Sequence, residues 1–155
     1  MAKKSAGLLM FRRSPDGQVQ VLLVHPGGPF WAGKDLGAWS VPKGEYDDSQ
    51  DALEAAKREF VEETGFPVSG PLLPLGSLKQ PSGKTVSVWA FESDCDPAAL
   101  VSNEFEMEWP PGSGRKASFP EIDRAAWFSL GEARERLAKG QVGFLDALEK
   151  AVPRA

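Results

Sequence analysis

The sequence is short of several residue types, and each shortage excludes a class of site. Its 155 residues include one cysteine, Cys95, and one histidine, His25. One cysteine can form neither an internal disulfide nor a CxxC metal site, and one histidine cannot supply a pair of metal ligands. No stretch reaches the roughly 18 consecutive apolar residues of a membrane helix, and the run from Leu8 to Phe11 is too short for the core of a signal peptide. We therefore expect a cytoplasmic protein without a membrane partner.

The chain also lacks an excess of positive charge. Its formal net charge is −4, so we expect no basic face for a nucleic-acid polymer. The acidic residues are unevenly placed, because residues 45–63 contain eight acids and only two bases, whereas the rest of the chain has a small positive balance. One acidic block of this kind indicates either a cation site or a solvated helix face.

The pattern of apolar residues predicts a single α/β domain over residues 1–155. No repeat or linker interrupts the chain, and its length suits one domain. Strands followed by a helix, further strands and two closing helices are typical of a sandwich built on a mixed sheet. The predicted strands are 8–13 and 19–25, joined as a hairpin, then 40–44, 75–80, 85–92, 104–109 and 125–130; the closing helices are 131–139 and 144–152.

Two segments are predicted to be irregular loops, residues 26–39 and residues 110–120. The first is rich in glycine and aromatic residues, and its Trp31 could stack on a nucleobase. The second carries Arg115 and Lys116, which could reach phosphates, although a solvated loop explains them equally well. The lone imidazole of His25 is expected to be a hydrogen-bonded structural group rather than a contact to substrate.

The clearest helix is predicted over residues 48–64. Asp48 or Ser49 can cap its N-terminus, and Gly65 stands where a helix ends in the left-handed conformation. Residues that recur at helical spacing should face the core: Leu53, Ala56 and Phe60.

Three glutamates, Glu59, Glu62 and Glu63, share one face of this helix, and we call them the glutamate trio. Three like charges this close repel one another and would weaken the helix without a counter-ion. Mg²⁺ prefers carboxylate oxygens and keeps waters that can bind phosphate. A metal site would therefore explain the trio, while an exposed acidic face is the alternative that helix charge alone favours.

The segment from Gly44 to Phe66 favours the metal site. It resembles the Nudix box, G-x5-E-x7-R-E-U-x-E-E-x-G-U with U a bulky aliphatic or aromatic residue, which marks hydrolases of nucleoside diphosphates linked to another moiety. The exception is Gln50, where the family has glutamate. Eight of the nine fixed positions match in register: Gly44, Arg58, Glu59, Phe60, Glu62, Glu63, Gly65 and Phe66.

This resemblance implies a Nudix-type α/β/α sandwich with a mixed sheet and a metal-dependent pyrophosphohydrolase. It implies that the glutamate trio coordinates Mg²⁺, with Mn²⁺ as an alternative, and that Arg58 orients Glu59. Gly44 would shape the loop before the helix. The backbone carbonyl of Lys43 or Gly44 often completes such a site in the family, and Lys43 is also a candidate for binding substrate.

The chemistry implied is attack of water on a phosphorus atom, with metal neutralising charge and a carboxylate accepting the proton. Nudix enzymes differ in which carboxylate is the base, and some use one that precedes a late strand containing tryptophan. Glu121, six residues before Trp127, is the candidate here. Glu106 and Glu108 are rivals, and an ordinary strand-surface role is open for both.

The substrate is expected to be a small nucleotide derivative. Pro81, fifteen residues after Phe66, has a spacing like that of ADP-ribose hydrolases of the family, whereas the position of Tyr46 inside the box disfavours dinucleoside-polyphosphate hydrolases. The sequence favours neither ADP-ribose-like compounds nor (deoxy)nucleoside triphosphates over the other as substrates. A homodimer is compatible with the sequence. Because Gln50 departs from the box, the alternative is a catalytically weak or inactive Nudix-fold module that binds nucleotides for regulation.

Overall fold

A computed structural model describes residues 3–152. Within this range no helix is long and apolar enough to cross a membrane. The helices are α1 (Ala52–Thr64), α2 (Leu130–Arg136) and α3 (Gly143–Ala151). The strands are β1 (Lys4–Arg13), β2 (Val19–Pro26), β3 (Lys43–Tyr46), β4 (Leu73–Lys79), β5 (Thr85–Glu92), β6 (Glu104–Glu108), β7 (Lys116–Pro120) and β8 (Ile122–Ser129).

Six of the strands form one mixed sheet in the order β4-β5-β1-β2-β8, with β3 paired to β1. Only the β1–β5 pair is parallel. Strands β2 and β3 share one edge of β1, because β3 pairs with the segment Lys4 to Gly7 and β2 with the segment Phe11 to Arg13. The chain therefore leaves the sheet after β2, loops round, and re-enters it at β3 directly before α1.

Helices cover both faces of this sheet, as the alternation of side chains along β1 requires. Leu8 and Met10 point towards α1, whereas Leu9 and Phe11 point towards α2 and α3. The predicted α/β/α arrangement is confirmed. The layer beneath α1 is built from Ala6, Leu8, Met10, Leu22, Ala56, Phe60, Phe66 and Phe91, and the helices of the other layer contribute Ala133, Leu137, Phe144, Leu145 and Leu148.

The N-terminus of α1 differs from the prediction. Asp51, rather than Asp48 or Ser49, caps the helix, and its carboxylate accepts the N–H of Glu54 at 3.1 Å. The residues before it form a separate turn, because the Asp47 carboxylate accepts the N–H of Ser49 at 2.9 Å. A local side-chain hydrogen bond thus competes with the helix and delays its start.

The C-terminus of α1 and most of its buried face agree with the prediction. Gly65 has φ 75° and donates its N–H to the carbonyl of Val61, a left-handed cap that favours glycine. Ala56 and Phe60 are fully buried. Leu53 is only half-buried and lies outside both core clusters.

The second predicted loop is wrong from residue 116 onward. Residues Lys116 to Pro120 form β7, which pairs antiparallel with β6 as a separate two-stranded sheet. Its alternation rests on only two inward side chains, Ala117 and Phe119, and it contains no β-branched residue, so the strand pattern is weak in the sequence. Other bounds also differ: β3 begins at Lys43, later than predicted, with Ser40 making only an isolated bridge to Val24, and the helix predicted over 131–139 ends at Arg136.

Candidate active site

The packing of α1 on β3 brings two of the trio against the strand that opens the box. The carboxylate of Glu63 accepts the backbone N–H of Lys43 at 3.1 Å. The carboxyl group of Glu59 lies directly over Gly44, where a Cβ atom would be only 2.1 Å from its Cδ. A residue without a side chain at position 44 is therefore required for Glu59 to lie where it does.

Arg58 contacts two carboxylates of the trio, those of Glu59 and Glu62. Its Nη2 donates to Oε1 of Glu59 at 3.2 Å, and its Nε lies 3.8 Å from Oε1 of Glu62. The side chain of Glu59 is 19% exposed and that of Glu62 46%. The trio is thus divided, with Glu59 and Glu63 turned inward and Glu62 held at the surface.

Beside these glutamates lies a cavity of about 380 Å³ between β2, β8 and the start of β3. Glu63 and Glu121 both line it, although they come from α1 and from the residue before β8. Neither Glu106 nor Glu108 is among its lining residues. Its other polar and aromatic lining is Trp31, Trp39, Ser40, Lys43 and Gln141.

The electrostatics of the cavity disfavour an ionised Glu63. Burial, followed by repulsion from Glu59 and from Glu121, raises the pKa of Glu63 to about 8, against the opposing hydrogen bond from Lys43. Burial together with the charge of Lys84 lowers the pKa of the Lys43 ammonium. The charges of the protein itself therefore do not fully balance an ionised Glu63 beside Glu59 and Glu121.

The donors suit a hard divalent cation, although they do not converge on one point. Carboxylate and carbonyl oxygens are the ligands that Mg²⁺ and Mn²⁺ prefer, and the crowding of Glu59, Glu63 and Glu121 supplies the negative charge. Among residues 3–152, however, no group of three acidic, histidine or cysteine side chains is placed to hold a metal ion. The member of the trio turned away is Glu62, which faces Arg58.

The predicted substrate-binding residues divide into two groups. Lys43 and Trp31 line the cavity; the indole of Trp31 is 41% exposed, and the ammonium of Lys34 lies 5.4 Å from its centre. Arg115 and Lys116 are exposed and do not line it. They lie at the turn-proximal end of the β6–β7 hairpin, where the carbonyl of Arg115 accepts the N–H of Trp109 and its N–H donates to the hydroxyl of Ser113.

One cavity residue has no signal in the sequence. Gln141 follows α2, is 3% exposed, and accepts the N–H of Val41 at 2.9 Å while donating to the hydroxyl of Ser40 at 3.0 Å. It therefore fixes the backbone just before Lys43. A glutamine between two helices predicts nothing by itself, because its partners lie about a hundred residues away in the chain.

Comparison with known proteins identifies the family. A sequence model described as the NUDIX domain matches residues 1–148. This chain belongs to the Nudix family. The predicted family, the Nudix-type fold and the assignment as a Nudix hydrolase are thereby confirmed, and the broader activity of a pyrophosphohydrolase agrees with the relatives.

Individual relatives are similar at low identity. An RNA pyrophosphohydrolase of Rhizobium meliloti (strain 1021) is 26% identical over 140 residues, covering 74% of this chain and 78% of the relative. A binary complex of a C. elegans Ap4A hydrolase is 21% identical, with a TM-score of 0.64 and 96% of each chain covered. The NUDIX domain of Shewanella oneidensis NrtR, complexed with ADP ribose, is 16% identical, with a TM-score of 0.65 and coverage of 97% and 88%. The two structures show the fold alone.

Proposed function

We propose that this Nudix hydrolase uses Mg²⁺, or Mn²⁺ in its place, to cleave a diphosphate linkage in a small nucleotide derivative. The observation that carries the proposal is the position of Glu63, which lines the cavity together with Glu121 and lies near Glu59. Burial and repulsion from these two carboxylates raise the pKa of Glu63 to about 8. A carboxyl group whose pKa is raised by burial and by neighbouring like charges, and which lines a cleft, is a candidate functional group. A divalent cation would balance these carboxylates.

The trio and the carbonyl of Gly44 are the proposed metal ligands. A bound metal would neutralise charge on phosphate oxygens and acidify an attacking water. The task of Arg58 is to hold the carboxylate of Glu59 in place through their 3.2 Å hydrogen bond. Its contact with Glu62 is longer, at 3.8 Å, and half-exposed, so Glu62 can leave it at little cost.

Glu121 is the proposed general base. It lines the cavity beside Glu63, and its backbone is fixed on both sides: its N–H donates to the carbonyl of Asn103 at 2.8 Å, and its carbonyl accepts the N–H of Gly27 at 2.9 Å. A base must be held within reach of the proton that it takes. Glu106 belongs to the hairpin and is not among the residues that line the cavity.

Lys43 and Trp31 are the proposed substrate ligands. Lys43 is half-buried and lines the cavity, so its ammonium can contact a phosphate oxygen, and the partly exposed Trp31 can stack on a base. Arg115 and Lys116 could contact only those parts of a substrate that extend beyond the cavity. A short nucleotide derivative would engage the first pair alone.

The linkage that is cleaved has to be found by assay. ADP-ribose-like compounds and (deoxy)nucleoside triphosphates are the proposed classes, and the names of the similar proteins add Ap4A and RNA to the compounds worth testing. The prediction that no nucleic-acid polymer is a substrate is tested by including an RNA with a 5′-triphosphate. A cytoplasmic location and a homodimer stay predictions.

The deciding experiment is a panel of these compounds assayed for release of phosphate and nucleoside monophosphate with Mg²⁺, with Mn²⁺ and with EDTA. Turnover that requires a divalent cation supports the proposal, and turnover that persists in EDTA contradicts the metal assignment. Binding of a nucleotide without turnover of any compound would instead support the regulatory module that Gln50 suggested.

A further inference from the structure

The single histidine lies between two oxygen atoms that come from different parts of the chain. His25 is fully buried at the end of β2. Its Nδ1 lies 2.8 Å from Oδ1 of Asp123 on β8, and its Nε2 lies 2.6 Å from the carbonyl oxygen of Lys34 in the loop 26–39. The ring thus joins this loop to β8. The expectation of a hydrogen-bonded imidazole is met, and the nature of both partners carries a further consequence.

Both partners are acceptors. A backbone carbonyl and a carboxylate donate no hydrogen bond, and a neutral imidazole carries only one N–H. With a neutral ring, the nitrogen without a proton would therefore face a partner oxygen with its lone pair, and that contact would not be a hydrogen bond. An imidazolium carries two N–H groups and completes both contacts of His25. A neutral His25 beside an ionised Asp123 therefore lacks one proton that the two hydrogen bonds require.

Charged groups from three elements surround this pair. The loop, β8 and α2 all pack around the indole of Trp39, whose ring centre lies 5.2 Å from that of His25. Asp123 also lies 3.7 Å from the Nε of Arg124, and the Trp39 N–H donates to Asp35 at 2.7 Å. The other ionisable side chains near Trp39 are Arg124, whose guanidinium lies 5.1 Å from the centre of the Trp39 ring, and Arg136, which donates to Asp35 at 3.1 Å. The ammonium of Lys34 lies over Trp31.

The loop that His25 holds carries part of the cavity. Trp31 is three residues before Lys34, and Glu121 is two residues before Asp123; both line the cavity beside Glu63. We propose that His25 is a positioning residue, and that its second proton ties the loop 26–39 to β8. The tether is complete when the ring carries two protons, and one of its two hydrogen bonds is lost when the ring is neutral.

This tether is a property of the folded chain, and only its meaning for substrate binding rests on the proposed function. With the loop held, Trp31 and Glu121 keep a fixed separation. With one bond lost, the loop gains freedom, and the wall of the cavity that carries Trp31 becomes less ordered.

The test is nuclear magnetic resonance of the full ¹⁵N-labelled chain without metal or substrate. Because His25 is the only histidine, its two ring nitrogens can be followed without ambiguity between about pH 5 and about pH 8.5. In parallel, hydrogen-exchange protection is measured for loop amides that donate to carbonyls, those of Lys34, Gly37 and Ala38, and corrected for the intrinsic pH dependence. We expect about tenfold higher protection while both nitrogens carry protons, and a fall that follows loss of the ring proton.

The substitution Asp123→Asn provides the matched control. An asparagine amide can donate to Nδ1 while the ring donates from Nε2 to the carbonyl of Lys34, so a neutral imidazole completes both bonds. Loop protection in this variant is expected to be flat with pH. His25→Gln, which does not titrate, should likewise remove the pH dependence.

Three results would overturn the proposal: a ring with a single proton across the whole range, wild-type protection that does not follow the ring, or an Asp123→Asn variant that keeps the wild-type profile. The wild-type titration decides even where a variant does not fold. None of these outcomes depends on turnover, so failure of the tether is distinguishable from failure of the proposed hydrolase.

Discussion

Glu59 of α1 and Gly44 of β3 are in such close contact that the space for a methyl group on Gly44 is already filled. A Cβ atom at position 44 would lie 2.1 Å from Cδ and 2.3 Å from Oε2 of Glu59. Because the atoms met are the end of a flexible side chain, an alanine would push the carboxylate aside rather than move the backbone. The absence of a side chain at Gly44 therefore allows the carboxylate of Glu59 to lie against β3.

Gly44→Ala is accordingly expected to reduce turnover by about 10²-fold or more, as loss of a charge-stabilising group does, while the free energy of unfolding changes by less than about 1 kcal/mol. Steady-state kinetics and urea denaturation measure the two effects. Gly131→Ala is the control, since a Cβ on Gly131 meets nothing within 4 Å, and it should leave turnover unchanged. Equal losses in both variants would show that the contact with Glu59 does not matter.

Glu62→Gln is expected to reduce turnover by about 10²-fold or more and to weaken binding of Mg²⁺. The substitution keeps the size of the side chain and removes the charge that the proposed metal site needs. Glu54→Gln is the matched control, because Glu54 lies on the same helix, is exposed, and pairs with Lys57. Calorimetric titration with Mg²⁺ and kinetics check the pair of variants, and an unchanged Mg²⁺ affinity in the Glu62→Gln variant would remove Glu62 from the site.

Glu63→Gln should stabilise the metal-free protein in a pH-dependent way. The pKa of Glu63 is about 8 in the folded protein, above its ordinary 4.5. Between these values the unfolded chain releases a proton that the folded protein retains, so the free energy of unfolding of the wild type falls as pH rises. Glutamine removes this loss and can still accept the N–H of Lys43.

The expected gain is about 2 kcal/mol near pH 8 and much less near pH 5. Urea denaturation in EDTA at both pH values measures it, with Glu54→Gln as an exposed control that should show no such gain. The same Glu63→Gln variant is expected to lose turnover. A variant less stable than the wild type near pH 8 would contradict the repulsion among Glu59, Glu63 and Glu121.

Local patterns in the sequence were sufficient for the helix of the box and for most strands. The spacing of Glu59, Glu62 and Glu63 predicts a shared helix face, since 3.6 residues make a turn. It does not determine that Arg58 holds Glu62 at the surface, because that depends on the conformations of two long, partly exposed side chains. Likewise the short strand β7 carries only Ala117 and Phe119 as an apolar signal.

Contacts between distant segments were beyond the sequence. The approach of Glu121 to Glu63 depends on how α1 and β8 pack on one sheet, and only the family resemblance indicated Glu121. The partners of His25 and Gln141 include residues 98 to 101 positions away in the chain. Buried polar side chains of this kind form hydrogen bonds with groups that the fold brings close from distant parts of the chain. Their roles are therefore visible only in the structure.

Gln50→Glu tests whether the one departure from the box reduces activity. The side-chain oxygen of Gln50 accepts the backbone N–H of Asp47 at 3.2 Å, and a carboxylate can accept the same bond. We therefore expect kcat/KM to change by less than about threefold. Loss of an interaction that stabilises the transition state by about 1.4 kcal/mol would reduce it about tenfold. Recovery of activity from an inactive wild type would instead show that Gln50 has abolished catalysis.

Gln141→Leu should affect both stability and the site. The change leaves the buried N–H of Val41 without its acceptor, which costs about 1–3 kcal/mol. It also releases the backbone that leads to Lys43, whose N–H donates to Glu63. We expect turnover to fall by about tenfold in addition to the loss of stability. Gln20→Leu, on β2 and bonded to Arg12, is the control for removing a half-buried amide far from the cavity. If the two variants lost stability and turnover alike, the chain of contacts from Gln141 to Glu63 would have no part in catalysis.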